Sequence, residues 1–315
     1  MDFKQIEYFI AVAERRSFSR AAEALNVSQP ALSRQVGLLE ADLGQHLLYR
    51  NGRGVEPTEA GLRFIEHAQG LLALAQRARE DLRSMRDTPS GKVVIGLPPR
   101  VALVLTPLLV ATFRQALPAA SIAIAEGLST QVREWLLTGR VDLALLYDPP
   151  PAPQLAYESL FSEDLVLAAA PSSIYRLPRQ VKIEDLARYP LIMPSHPHAL
   201  RSLMTRVCRA QGVQLDVVAE VDAVHTIVEL ASQGHACAVL PRSAVQGPHA
   251  ERRFDVATLI APRVTNDLVL ALPRQRHATR LADATADLVR GLDLAPLFAT
   301  ETTAALKAGK KRRLE

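Results

Sequence analysis

The stretch Phe18-Ser-Arg-Ala-Ala-Glu-Ala-Leu-Asn-Val-Ser-Gln-Pro-Ala-Leu-Ser-Arg-Gln-Val36 decides the fold of the first sixty residues. Ser17 precedes it as an N-cap for a short helix that ends near Leu25. Asn26 tolerates left-handed backbone geometry and so favours a tight turn. Ser28 is the N-cap of the next helix, and Pro30 stands in its first turn, where a missing N–H costs little. The stretch predicts helix, tight turn and helix.

The second of these helices separates an apolar stripe from a polar face. Its apolar residues are spaced 4, 3 and 4, which predicts one buried stripe: Leu32, Val36, Leu39 and Leu43. Gln29, Pro30, Ser33 and Arg34 lie on the opposite side or at the helix start. Arginine bonds guanine, glutamine bonds adenine, and serine reaches bases or phosphates. We therefore predict that this face enters the major groove of DNA.

A hairpin follows the polar helix. Residues 47–50 and 55–57 have strand character, and Asn51-Gly-Arg-Gly54 is typical of a tight turn. Arg53 at the tip could reach an adjacent minor groove. The alternative is a small helical domain with a hairpin that binds no nucleic acid. The order of caps, turn and arginine-tipped hairpin favours a winged helix-turn-helix over residues 1–58 that binds double-stranded DNA.

Residues 59–90 predict a long linker helix that begins after Thr58. One apolar seam is spaced 4, 3, 4, 3, 4 and 3, which is typical of a coiled coil: Phe64, Ala68, Leu71, Ala75, Ala78, Leu82 and Met85. Leu62, Ile65 and Leu72 form a neighbouring stripe that we expect to pack on the winged module. The alternative is a helix lying on its own domain. A homodimer would present two recognition modules and therefore bind an interrupted inverted repeat.

Residues 91–299 alternate between strand and helix patterns, which predicts an α/β domain with parallel pairing. We expect strands at 92–97, 121–125, 142–147, 164–169, 191–193, 217–221, 236–240 and 267–272. We expect helices near 101–116, 130–139, 199–211, 225–234 and 278–291. Residues 300–315 predict a disordered basic tail.

The stretch at 18–36 resembles the LysR-type transcriptional regulators almost residue for residue, and Pro57-Thr58 and Gly61 continue the match. Gly96-Leu-Pro-Pro, residues 137–145 and residues 234–241 extend the resemblance through the α/β domain. Gly96-Leu-Pro-Pro and Leu146-Tyr-Asp148 look most like the family's nitrogen-assimilation-control branch.

The resemblance implies that Gln29, Pro30, Ser33, Arg34 and Arg53 meet DNA. It also implies an effector domain of periplasmic-binding-protein type 2, with subdomain 1 at about 91–161 and 266–299 and subdomain 2 at about 162–265. Association into tetramers is implied, with RNA polymerase as a partner if the protein is an activator.

Polar groups at strand ends predict the effector site. Pro99-Arg100, Ser129-Thr130 and Ser195-His196 each follow a strand and precede a helix. Converging helix N-termini favour a small anion such as a carboxylate. Tyr147 ends another strand. Asp222, His225 and Thr226 are plausible walls, although each is equally typical of a helix cap or surface group.

Arg100 leaves three alternatives open. Its guanidinium could bind an effector carboxylate, pair internally with an acid such as Asp148 or Asp222, or point into solvent.

Bulk properties exclude several other functions. Most of the net charge of +4 comes from the C-terminal tail. The last fifteen residues hold five basic and two acidic side chains, and the other 300 residues hold 32 basic and 31 acidic ones. No secretory signal is visible. The longest apolar run is too short to cross a bilayer and is broken by Pro107, and two cysteines give no disulfide framework. We therefore expect a cytoplasmic protein without membrane contact.

The metal-like spacings at His196-Pro-His198 and His235-Ala-Cys237 form no complete ligand set, so we expect no metal and no cofactor besides the effector. Cys208 and Cys237 have no cationic cluster that would make a redox sensor.

The leading hypothesis is therefore a ligand-responsive transcription factor. A constitutive regulator whose second domain serves only oligomerisation is the alternative. An enzyme acting on a small acid has the least support, because no nucleophile–base or acid–base pair is identifiable.

Overall fold

The computed structural model describes residues 1–51, 54–83, 89–245, 253–274 and 279–298. The chain falls into two compact units. The N-terminal unit comprises residues 1–88 with residues 135–141, and the C-terminal unit comprises residues 89–134 and 142–315. None of the helices in the described ranges has both the length and the apolar character that a bilayer crossing requires.

The N-terminal unit begins with three helices, namely α1 (Phe3–Arg15), α2 (Phe18–Ala24) and α3 (Gln29–Leu43). The predicted caps are present: Ser17 Oγ accepts from the Arg20 amide and Ser28 Oγ from the Ala31 amide. Asn26 has φ +51°, as the tight turn requires. The apolar stripe of α3 is buried at Leu32, Val36 and Leu39, so the helix-turn-helix predicted from the sequence is confirmed.

The wing consists of β1 (Leu48–Asn51) and β2 (Gly54–Pro57), paired antiparallel with Leu48 opposite Pro57. Glu40 in α3 fixes the hairpin, because its Oε1 accepts from the amides of Leu47 at 2.8 Å and Leu48 at 3.1 Å. Residues 52 and 53 lie outside the described residues. The prediction that Arg53 contacts DNA therefore falls on a residue that the structure does not describe.

Helix α4 (Glu59–Arg83) is seated on the wing by Thr58 and Gly61. Thr58 Oγ1 donates to the His46 carbonyl at 2.7 Å and accepts from the Gly61 amide at 2.9 Å. A Cβ at Gly61 would lie 2.0 Å from the Leu47 carbonyl oxygen, so only glycine permits this approach.

This seat fixes the rotation of α4 about its axis. Phe64, one turn after Gly61, packs against Phe9 with ring centres 5.4 Å apart, whereas Leu62 is 58% exposed. The expectation that Leu62 packs on the winged module is therefore wrong, because residues one position apart on a helix face different directions. Ile65 does pack against the core of that module.

The C-terminal unit contains one mixed sheet made of two half-sheets that share a long strand, β6 (Leu155–Ala169). In the first half-sheet the order is β4 (Ala120–Glu126), β3 (Gly91–Leu97), β5 (Leu143–Tyr147), β12 (Thr265–Pro273) and the start of β6. In the second, the end of β6 pairs with β10 (Cys237–Pro241), followed by β8 (Leu191–Met193) and β9 (Val217–Glu220). The other side of β6 carries β11 (Asp255–Ile260) and then β7 (Gln180–Lys182).

The pairing is parallel among β3, β4 and β5, but antiparallel where β12 meets β5 and β6. The sequence predicted β6 only from residue 164, because residues 156–162 show no clean alternation of buried and exposed positions. Strands β7 and β11 were also missed. The chain passes from one half-sheet to the other within β6 and returns at the start of β12.

Apolar cores cover the half-sheets. Helices α5 (Pro99–Ala116) and α9 (Arg280–Arg290) pack on the first half-sheet, through residues such as Leu105, Leu109 and Val289. Helix α7 (Ala199–Ala210) covers one face of the second half-sheet and α8 (Val224–Ser232) the other. Helix α6 (Ser129–Thr138) follows β4. The beginnings of these helices determine the geometry of the site described below.

A pair of glycine substitutions tests the seat of α4. We expect Gly61→Ala to lower the stability of the N-terminal unit, because the new Cβ meets the Leu47 carbonyl. Gly37→Ala on α3 is the matched control: no atom lies within 4 Å of its Cβ, so alanine should raise helix stability by about 0.5–1 kcal/mol. Urea unfolding followed by circular dichroism measures both. Equal stability of Gly61→Ala and wild type would contradict the proposed seat.

Candidate functional site

The polar face of α3 is available to a macromolecule. Gln29, Pro30 and Arg34 are exposed at its N-terminal end. Ser33 is half-buried, and its Oγ accepts a hydrogen bond from Nη1 of Arg50 at 3.2 Å. The predicted residues Gln29, Pro30, Ser33 and Arg34 therefore lie on one surface of the N-terminal unit.

Arg50 is a residue of this surface that the sequence analysis did not assign to it. It belongs to strand β1, and its guanidinium lies 4.7 Å from the centre of the Phe18 ring. This stacking and the bond to Ser33 hold a positive charge beside the polar face of α3. Its position on the wing strand next to the recognition helix was the available signal.

The residues predicted for a dimer seam are not equivalent. Phe64 is partly buried against the winged module, and Ala68 is buried within the chain. Leu71 is 37% exposed and Ala75 is half-buried. Ala78 and Leu82 lie in α4, but their side chains are outside the described part. The accessible part of the predicted seam therefore starts at Leu71.

A cavity of about 850 Å³ opens in the C-terminal unit. Apolar residues from the start and middle of α5, among them Pro98, Leu103 and Val110, line one side. Leu200 and Val224, at the beginnings of α7 and α8, also line the cavity.

The cavity brings together five of the predicted effector residues, namely Pro99, Arg100, Ser129, Tyr147 and Asp222. His225, named as a possible wall, also lines it. Thr130, Ser195, His196 and Thr226 are not among its lining residues. Ser195 instead donates to Asp222 through both its amide and its hydroxyl. His196 borders a separate hollow of about 450 Å³ beside Arg206 and Arg209.

Arg100 is paired internally, with Glu163 rather than with Asp148 or Asp222. Nη1 lies 3.1 Å from Glu163 Oε1, and the two side chains are 7% and 6% exposed. Nη2 donates to Ser243 Oγ at 2.6 Å, and the amide of Ser243 donates to Glu163 Oε2 at 3.0 Å.

Two aromatic residues complete this network. Tyr147 accepts from Arg100 Nη1 at 3.4 Å, and the Phe298 ring centre lies 5.0 Å from the guanidinium. Such pairing is what a buried charge requires. The full charge that suggested an anionic effector is thus matched by Glu163 inside the protein.

Four helices begin at the wall of the cavity: α5 at Pro99, α6 at Ser129, α7 at Ala199 and α8 at Val224. Helices α5 and α8 have no side-chain N-cap. Ser129 Oγ accepts a hydrogen bond from the Tyr147 amide at 3.1 Å. Helix N-termini carry partial positive charge and unpaired N–H groups, so the wall offers anion-binding groups that do not depend on Arg100.

His198 is the N-cap of α7, because its Nδ1 accepts from the Leu200 amide at 3.2 Å. Burial lowers the pKa of His198, against a smaller opposite influence of Asp222. The hydrogen bonds from Ser195 hold the pKa of Asp222 below its usual range. Within the described residues, no three histidine, cysteine or acidic side chains group as metal ligands.

Both cysteines are buried apolar groups. Cys208 lies in α7 and Cys237 begins β10, within one apolar core. Burial raises the pKa of each thiol to about 11. The thiolate is the reactive form, and burial disfavours that form of both side chains.

Asp148 stands just after β5 with φ +43°. Its Oδ1 accepts from the Asp267 amide at 3.3 Å, while its buried Oδ2 has no hydrogen-bond partner among the described residues. Burial raises the pKa of Asp148 to about 6, although the bond from Asp267 acts in the opposite direction.

A winged helix-turn-helix joined in one chain to an α/β unit with a cavity defines a DNA-binding transcriptional regulator with an effector-binding domain. Two family models match the chain: "Bacterial regulatory helix-turn-helix protein, lysR family" over residues 3–62 and "LysR substrate binding domain" over residues 86–293. The protein belongs to the LysR family of transcriptional regulators, and this is not a family of enzymes.

Relatives of known sequence agree with this membership. The chain is 29% identical to the nitrogen assimilation regulatory protein nac of Escherichia coli K12, over 95% of this chain and 97% of that protein. It is 33% identical to the HTH-type transcriptional regulator BbuR of Bordetella bronchiseptica, over 89% and 86%.

Among solved structures, the full-length LysR-family regulator CbnR complexed with its target DNA is 27% identical, with a TM-score of 0.65 over 92% of this chain and 99% of that one. Full-length OxyR from Pseudomonas aeruginosa shares the fold, with 24% identity, a TM-score of 0.69 and coverage of 94% and 97%.

The raised pKa of Asp148 predicts a pH-dependent contribution to stability. The folded state binds this proton more tightly than the unfolded state, so the contribution is favourable at low pH and is lost as the pH rises from about 4 to about 6. Asp148→Asn removes the ionisation and keeps the Oδ1 acceptor. We expect the variant to be more stable than wild type at pH 8, with the difference shrinking towards pH 4.5.

Urea unfolding across this pH range measures that difference. Asp283→Asn, which replaces an acid in the first turn of α9, is the control. Its stability difference from wild type should not follow the pH dependence expected for Asp148→Asn. A constant difference between Asp148→Asn and wild type would contradict the raised pKa.

Proposed function

We propose that this regulator binds an interrupted inverted repeat as a homodimer or homotetramer in the cytoplasm, and that a small carboxylate-bearing effector in the cavity modulates it. RNA polymerase is a further partner if the protein activates transcription. One observation carries the effector proposal: four helices begin at the wall of a single, mostly apolar cavity.

The exposed end of α3 supports the DNA contacts. Gln29 and Arg34 offer hydrogen bonds to base edges, and Ser33 with Arg50 offers a hydroxyl and a positive charge beside them. Small Pro30 lets the helix approach the groove closely. Arg53 at the wing tip is proposed for the minor groove from the sequence pattern alone.

Exposed leucines on α4 support association. Leu71 and Leu74 are three residues apart, so they share one helix face, and they are 37% and 46% exposed. A second copy of α4 would cover them. Two recognition modules related by a two-fold axis would then read two half-sites.

The cavity supports an effector with an apolar body and a carboxylate. Its apolar lining would bury the body, and the uncapped starts of α5 and α8 would receive the carboxylate. Because Glu163 already neutralises Arg100, the effector's negative charge would be received by these helix starts. The relatives include proteins named hydrogen peroxide-inducible genes activators, but the buried thiols give no support for peroxide sensing here.

Loss of Arg34 tests the DNA proposal. We expect Arg34→Ala to weaken binding of the full-length protein to a duplex selected from a random library by at least about fivefold, because a bidentate base contact contributes ~1–3 kcal/mol. Arg188→Ala, at an exposed arginine of the C-terminal unit, removes the same charge and should bind normally. Fluorescence anisotropy measures both. Unchanged binding by Arg34→Ala would refute the assigned face.

Filling the cavity tests the effector proposal. Benzoate, 3-phenylpropanoate and 4-methylpentanoate are screened for a rise in the melting temperature of the full-length protein. We expect Ala223→Trp, at an exposed lining residue, to abolish the rise and preserve DNA binding. Val218→Trp, at an exposed site on β9 outside the lining, should keep both.

A rise that persists in Ala223→Trp would contradict binding in the cavity. No rise with any of the three carboxylates would favour the constitutive alternative.

A further inference from the structure

We propose that Leu38 reads a thymine in the major groove, through contact between its side chain and the 5-methyl group of that base. This inference rests on the proposed function, because it assumes that the exposed face of α3 enters the groove. It extends the recognition surface one helical turn beyond Arg34 and assigns an apolar contact to that turn.

Leu38 lies in the same row of α3 as two residues already proposed to meet DNA. Pro30, Arg34 and Leu38 are spaced four residues apart, and residues at this spacing are neighbours on a helix surface. With 3.6 residues per turn, Leu38 lies only about 40° around the helix axis from Arg34. The buried stripe of α3 is on the opposite side of the helix, so this row faces away from the core.

Leu38 is a large apolar side chain that the rest of the unit leaves uncovered. It is 47% exposed, whereas Leu39, the next residue, is 0% exposed. Gly37 precedes it, and a Cβ there would meet no described atom within 4 Å. The position beside Leu38 therefore adds no bulk that would keep a base away from it.

Polar contacts mark the two edges of the uncovered row. On one side, Ser33 Oγ accepts from Arg50 of the wing at 3.2 Å. On the other side, Gln35 Oε1 accepts from Gln5 Nε2 of α1 at 3.3 Å. By its angle on the helix, Leu38 lies between these two contacts, on the same strip as Arg34.

The chemistry of leucine restricts what it can contact in the groove. Its side chain has no charge for a phosphate and no hydrogen-bonding group for a base edge. Of the four ordinary bases, thymine presents a methyl group in the major groove, and apolar side chains contact that methyl. Contact between the two groups removes apolar surface of both partners from water.

The neighbouring charges favour DNA over an apolar protein surface as the occupant. Arg34 is exposed one turn before Leu38, and Arg50 is held beside Ser33. A protein surface that covered Leu38 would also take these cations out of water, which is costly without paired acceptors. In DNA, phosphates and guanine edges near the thymine accept hydrogen bonds from such cations.

Replacing thymine by uracil tests the contact, because the two bases differ only in the 5-methyl group. The full-length protein is bound to the duplex selected from a random library, each thymine is replaced in turn, and fluorescence anisotropy measures binding. We expect at least one replacement to weaken wild-type binding about fourfold, the loss that corresponds to one buried methyl group.

Leu38→Ala assigns that loss to the named side chain. In this variant, replacing the same thymine should weaken binding by less than about 1.5-fold, because the group that the methyl contacts is absent. Ile174→Ala, which shortens an 83% exposed aliphatic side chain of the C-terminal unit, is the matched control and should keep the fourfold loss. Circular dichroism checks that both variants fold.

Several results would overturn the inference. These are a selected duplex without thymine in its half-sites, thymines whose replacement leaves wild-type binding unchanged, and losses that are equal in wild type and Leu38→Ala. A change in the oligomeric state of Leu38→Ala, measured by sedimentation, would assign Leu38 to a protein interface instead.

The Arg34→Ala variant separates failure of this inference from failure of the proposed function. If Arg34→Ala weakens binding and Leu38→Ala does not alter the response to uracil, the Leu38 contact is wrong and the assigned face of α3 stands. If Arg34→Ala binds normally, the face is wrong and the Leu38 contact falls with it.

Discussion

The ion pair between Arg100 and Glu163 is the interaction on which the C-terminal unit depends. Arg100 lies in the first turn of α5, which packs on the first half-sheet, and Glu163 lies in β6 where the chain passes to the second half-sheet. Ser243 follows β10 in that second half-sheet. A buried charge is tolerated only with a partner and satisfied hydrogen bonds. Joining the charges therefore also joins the two half-sheets at the cavity.

This pairing also sets the polarity of the cavity. Because Glu163 matches the guanidinium, the remaining positive character of the wall comes from backbone N–H groups at the helix starts, and the lysine, arginine and acidic side chains that remain in the described lining are acidic.

In the N-terminal unit, the arginines beside α3 are not neutralised in this way by a buried carboxylate among the described residues. Arg34 is left exposed at the start of α3, and Arg50 is held beside Ser33, so polar groups there face a macromolecule rather than a buried ligand.

Local signals in the sequence predicted the local structure well. Ser17, Asn26 and Ser28 determine the helix-turn-helix because caps and turns depend on neighbouring residues. The partner of Arg100 could not be predicted, since Glu163 is 63 residues away and its choice depends on how β6 crosses between half-sheets. The rotation of α4 depends on one backbone contact between Gly61 and Leu47, which helical periodicity does not encode.

A double-mutant cycle of unfolding free energies at Arg100 and Glu163 tests the central interaction most directly. Glu163→Gln leaves a buried guanidinium without its counter-charge, which should cost about 3–5 kcal/mol. Adding Arg100→Met removes that charge, so we expect the double variant to be more stable than Glu163→Gln alone. If the two losses of stability simply add, so that the double variant is less stable than either single variant, Arg100 and Glu163 do not stabilise each other.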